Sequence, residues 1–121
     1  MKHILIVHDE QQDPEIRKQY LESAGYFVSL SPSISECLKI MQNRTPDAVI
    51  LDILLEGKNG FETCRALRER YSAQDLPIIM CGGIYRKQVF QDEARDAGAQ
   101  AYLLDPLQME DLLVSVHMLT D

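Results

Sequence analysis

Apolar residues follow two alternating rhythms along this chain. Short, nearly unbroken apolar runs stand at residues 3–7, 26–30, 48–51, 77–81 and 101–104. Each is too short for a helix and rich in Ile, Val, Leu or Tyr, as buried strands are. Between them lie amphipathic stretches of helical length. Asp13-Pro14 predicts an N-cap with proline at the first helical position, and Gly25 a C-terminal stop. Ser33-Ile34-Ser35-Glu36 is a capping box that opens a helix burying Ile34, Cys37, Leu38 and Met41. Residues 59–71 bury Phe61, Cys64 and Leu67, and residues 88–97 run into a second glycine stop, Gly98. The last helix, over 108–119, sets Met109, Leu112, Leu113 and Val116 on one face.

The alternation βαβαβαβαβα predicts an α/β fold with a parallel sheet covered on both faces. No repeat or linker interrupts it, and 121 residues suit one domain spanning 1–121. A net charge of -7 argues against a nucleic-acid backbone as partner. No apolar run reaches the length of a membrane span, and the start MKHILIVHDE turns acidic too early for a signal peptide, which predicts a cytoplasmic protein. Cys37, Cys64 and Cys81 show no CxxC spacing and are expected to be buried free thiols.

In such sheets, ligands bind at the carboxyl ends of the strands. His8-Asp9-Glu10 follows the first strand, Asp52 the third, Cys81-Gly82-Gly83 the fourth, and Asp105-Pro106 the fifth. Glu10 is read as a solvated helix-capping acid. Asp9 and Asp52 would share one rim and could hold a hard cation such as Mg²⁺. Gly82-Gly83 is read as a flexible loop, since a phosphate-cradling turn needs more than two glycines. No nucleophile–base–orienter set is visible, so an enzyme acting on external substrates is not expected.

The motifs ILIVHDE, AVILDILLEGKNGFE, PIIMCGG and GAQAYLLDP, in this order and spacing, resemble those of response-regulator receiver domains from end to end. The resemblance implies a flavodoxin-like, doubly wound five-stranded fold, (βα)5, with strand order 2-1-3-4-5. It implies two-component phosphorelay signalling, with Asp52 as phosphoacceptor and Mg²⁺ held by Asp9, Asp52 and the backbone carbonyl of Leu54. It also implies a switch-like aromatic at Tyr102 and a cis peptide before Pro106. A carboxylate can attack phosphorus directly, and Mg²⁺ screens the charge that develops on the transferring group.

Three positions depart from the family pattern. His8 replaces an acid, Gly82 a hydroxyl residue, and Asp105 the lysine before the strand-five proline. At about 5 Å and an effective dielectric near 20, a unit charge pair interacts by roughly 3 kcal/mol, so Lys-to-Asp swings the site by about twice that per unit of phosphoryl charge. Phosphorylation of Asp52 is therefore expected to be weak or absent, as in a pseudo-receiver, and Tyr102 to keep a fixed rotamer. Asp105 could equally point outward or cap the last helix. His8 is either a neutral rim histidine or a cation partner for Asp52 or Asp105. Mg²⁺ binding is expected to be weak and to fall as His8 protonates, and a softer metal on His8, Asp9, Asp52 and Asp105 is a less favoured reading.

Three functions follow from these residues. The favoured one is a protein-interaction module, read by a histidine kinase or downstream signalling protein through the fourth helix, fifth strand and last helix. Val114 and Met118 would form an exposed apolar strip there, also suited to a homodimer. The second is a working phosphoacceptor taking phosphate from a histidine kinase on Asp52. The third is a metal- or small-ligand-binding flavodoxin-like domain.

Overall fold

Each apolar run forms a strand of one parallel sheet in the computed structural model, which describes residues 1–8, 14–55, 58–83, 88–104 and 107–121. The strands are β1 (His3–Val7), β2 (Phe27–Ser31), β3 (Ala48–Asp52), β4 (Ile78–Gly83) and β5 (Ala101–Leu104), in spatial order β2-β1-β3-β4-β5. The helices are α1 (Pro14–Ser23), α2 (Ile34–Asn43), α3 (Gly60–Arg68), α4 (Gln88–Ala97) and α5 (Met109–Thr120). This is the expected doubly wound, flavodoxin-like (βα)5 architecture.

Strand periodicity sorts the core into two layers. Leu5, Val7, Val49, Leu51, Ile78 and Met80 pack with Cys37 and Met41 of α2, Phe61, Cys64 and Leu67 of α3, and Ala94 and Ala97 of α4. The alternate residues Ile4, Ile6, Ala48, Ile50, Ile79 and Cys81 pack with Leu21 of α1 and Leu112 and Val116 of α5. Ser33 caps α2 as expected, its side chain accepting from the Glu36 N–H at 3.2 Å. Among the described residues all three cysteines are free and buried. No described helix is long and apolar enough to cross a membrane.

The structure corrects several expectations. Gly82 and Gly83 are the last residues of β4 rather than a loop. Asn59 belongs not to α3 but to a short antiparallel hairpin, Leu54–Leu55 with Lys58–Asn59, that the periodicity did not suggest. Helix α3 stops at Arg68, three residues early, because the chain turns there toward β4. The expected cap Asp13, the rim acids Asp9 and Glu10, and the Asp105–Pro106 peptide with its expected cis bond lie outside the described residues.

Candidate functional site: a buried aspartate and its cation

Residues 48, 50 and 52 point to the α1/α5 side of the sheet, so Asp52 ends β3 facing α1. Its register partner on β4 is Cys81, which shares that side. Gly60 seats the start of α3 against this strand end: a Cβ there would stand 2.6 Å from the Asp52 carbonyl oxygen and 2.8 Å from Ile53 Cα. The expected rim carboxylate is in fact wholly enclosed, with 0% of Asp52 exposed.

A carboxylate removed from water needs a partner charge. Arg17 supplies it from α1. Its Nη1 donates to Asp52 Oδ1 at 2.7 Å and its Nη2 to Oδ2 at 3.3 Å, a two-pronged contact that the planar guanidinium suits. Cys81 closes the cluster. Arg17 Nη1 lies 3.3 Å from its Sγ, and the thiol donates to Asp52 Oδ1 at 3.3 Å. Burial, then the neighbouring Asp52 charge, push the Cys81 thiol far above its usual range and keep it protonated. Burial works against the Arg17 charge, but its hydrogen bond to Asp52 and the Asp52 charge outweigh this, and its pKa rises.

The sequence reading offered His8 as a neutral rim histidine or as a cation partner for Asp52 or Asp105; the structure puts Arg17 against Asp52. His8 follows β1 half-buried, its backbone N–H donating to the Ser31 carbonyl at 3.0 Å. Arg17 was legible only obliquely. It and Leu21, four residues apart, are the buried pair of α1, while the more apolar Ile16 and Tyr20 stay exposed. Gly82 is buried with φ at +85°, where the β4–β5 register slips. The missing hydroxyl thus coincides with a backbone that favours glycine, and a β-branched threonine would be strained there. Tyr102 is half-buried against the α2–α3–α4 layer and lines a cleft of about 180 Å³ with Gln88, Gln91 and Arg95. Val114 and Met118 are exposed on α5, as expected.

A sequence profile of the family described as "Response regulator receiver domain" matches residues 4–117. The chain belongs to the response-regulator receiver family. It is 37% identical over 117 residues to a response regulator MprA of Mycobacterium sp. (strain KMS), covering 96% of this chain and 49% of that protein. The chain therefore spans about half the length of the curated relatives it matches. Among solved structures, the receiver domain of the TMAO respiratory system response regulator TorR superposes with a TM-score of 0.87 at 34% identity, over 100% of both chains. A putative response regulator from Chloroflexus aurantiacus gives 0.87 at 30% identity, over 98% of this chain and 97% of its own.

Receiver domains commonly bind Mg²⁺ at the phosphorylation site. The described residues of this one do not fit the ion. Both Asp52 oxygens already accept from Arg17, one also from Cys81, and a hard dication beside them would stand against the guanidinium. No group of three or more His, Cys, Asp or Glu that could hold a metal occurs among the described residues. Leu54, the expected carbonyl ligand, lies in the short hairpin, and Asp9 falls outside the described residues.

Proposed function

We propose that this receiver domain of a two-component system works mainly as a protein-interaction module, with Asp52 accepting phosphate weakly or not at all. The observation that carries this reading is the state of Asp52: fully buried, with both oxygens engaged by Arg17. A nucleophilic carboxylate needs a line of approach to phosphorus, and a guanidinium bonded to both oxygens lowers its nucleophilicity. Transfer to Asp52 must first draw the guanidinium away and admit the donor. The family's lysine position holds Asp105, so the sequence offers no cation there to offset phosphoryl charge.

The surface that partners read is proposed to be α4–β5–α5. Val114 and Met118 stand 50% and 74% exposed on α5, and the polar cleft lined by Gln88, Gln91, Arg95 and Tyr102 borders β5. A histidine kinase, a downstream signalling protein or a second copy of the chain would dock there in the cytoplasm. Incubation with a small-molecule phosphodonor and Mg²⁺, followed by intact mass, is expected to leave most of the protein unmodified. Rapid, stoichiometric gain of one phosphoryl group on Asp52 overturns the reading. Val114→Lys with Met118→Lys should abolish partner capture or self-association while the fold survives, and unchanged association would move the working surface elsewhere.

A further inference from the structure

We infer that Arg17 is the resident cation of this receiver: its guanidinium takes the charge position at Asp52 that a divalent metal would otherwise hold, so Arg17 and the metal exclude each other. The inference rests on the reading of Asp52 as an engaged carboxylate and says what engages it and what that displaces. Two observations support it. The contact is two-pronged, so an ion reaching either Asp52 oxygen would stand directly beside the guanidinium. It is buried on both sides, with 6% of the Arg17 side chain and none of the Asp52 side chain exposed. In that setting water screens the pair little, and a second cation cannot approach the carboxylate without meeting the first.

Cys81 makes the arrangement selective. Its Sγ lies 3.3 Å from both Arg17 Nη1 and Asp52 Oδ1. A protonated thiol is a poor ligand for a hard ion but an acceptable neighbour for a guanidinium. The floor of the site therefore suits a delocalised organic cation better than Mg²⁺. The position of Arg17 reinforces this. It shares the inward stripe of α1 with Leu21, so removing the side chain from Asp52 means extracting it from a packed face. Arg17 is thus a positioning residue, acting through Asp52 on what can bind there.

The test uses Mn²⁺ alone as probe, with no phosphodonor, followed by the paramagnetic resonance signal of the free ion. The wild-type chain should leave the signal of millimolar Mn²⁺ undiminished. Arg17→Leu should bind one Mn²⁺ at least about 100-fold more tightly, since a full positive charge has left the carboxylate. Arg17→Leu with Asp52→Asn should lose that binding again. Arg17→Gln, which keeps a donor for Asp52 without the charge, carries the same expectation if the leucine variant fails to fold. Mn²⁺ binding by the wild-type chain within a few-fold of the variants overturns the inference, as does binding by Arg17→Leu that survives Asp52→Asn. Either result leaves the weak-phosphorylation reading to the mass measurement, which does not depend on it.

Discussion

Two arginines at opposite ends of the sheet show how the same side chain serves two different purposes. Arg17 works at the carboxyl ends of β3 and β4, against a single carboxylate. Arg68 works where β4 and β5 begin. Its Nε donates to the Gly98 carbonyl at 2.9 Å and its Nη1 to the carbonyls of Leu76 at 2.6 Å, Ser72 at 3.1 Å and Tyr71 at 3.4 Å. Its Nη2 donates to Gln100 Oε1 at 2.8 Å. No carboxylate pairs with Arg68 among the described residues. Burial accordingly lowers the Arg68 pKa, with Cys64 only partly opposing, whereas the Arg17 pKa is raised. Arg68 ties three chain segments together through neutral acceptors. Arg17 neutralises one charge, and removing that charge changes what the site can bind.

The sharpest way to break this contrast is Arg17→Leu, which strands a buried carboxylate. A loss of about 3–5 kcal/mol is expected in urea unfolding at neutral pH. Adding Asp52→Asn should return most of it, because a buried pair contributes little beyond cancelling its own desolvation. Equal stability of the single and double variants would show that the two residues are not coupled.

A smaller loss, about 2–3 kcal/mol, is expected for Arg68→Ala, which leaves several carbonyls without their donor. Here no second-site change at an acid should rescue. Arg68→Lys should recover little, since an ammonium cannot span the same acceptors as a planar fork. Full recovery by lysine would mean that charge, not geometry, is what Arg68 contributes.

The smallest effect comes from His3, at the start of β1. Its Nε2 lies 2.8 Å from Ser29 Oγ, and its Nδ1 finds no partner among the described residues. Burial, then the charge of Arg44, lower its pKa from 6.5, and Asp47 only partly opposes them. Below that value the unfolded chain takes up the proton more readily than the folded one. Stability is therefore complete above about pH 6.5 and declines as pH falls through the ordinary histidine range. Urea midpoints from pH 7.5 down to 5.5 should fall less steeply for His3→Gln than for wild type. Parallel curves would remove His3 from the account.

What could be read without coordinates is uneven for physical reasons. Val114 and Met118 were expected on the outer side of α5 from angular spacing alone, and they are exposed. Helical geometry depends only on neighbours along the chain, so that inference needed nothing else. Gly82 was noticed as a missing hydroxyl, but its positive φ and the register slip beside it depend on how β4 pairs with β5. Arg17 was not singled out. On α1 the apolar Ile16 and Tyr20, one and three positions from it, suit an interior better than an arginine by residue type, yet both are exposed. The one available hint was an acid-rich strand edge lacking the family's lysine, which left a charge deficit that some other cation had to meet.

The sequence by itself determined the order and kind of the elements, the single parallel sheet, the family and Asp52 as its central acid. The elements and the sheet follow from periodicities of two and 3.6 and short capping motifs, which are properties of neighbouring residues, whereas the family and the place of Asp52 in it follow from the resemblance of four motifs. The tertiary structure decided that Asp52 is buried rather than on a rim and that Arg17 holds it. A charged residue is tolerated inside only if its counter-charge arrives in the right place. Here that counter-charge is 35 residues away along the chain and on a different element, and only the packing of α1 on the sheet brings the two to 2.7 Å.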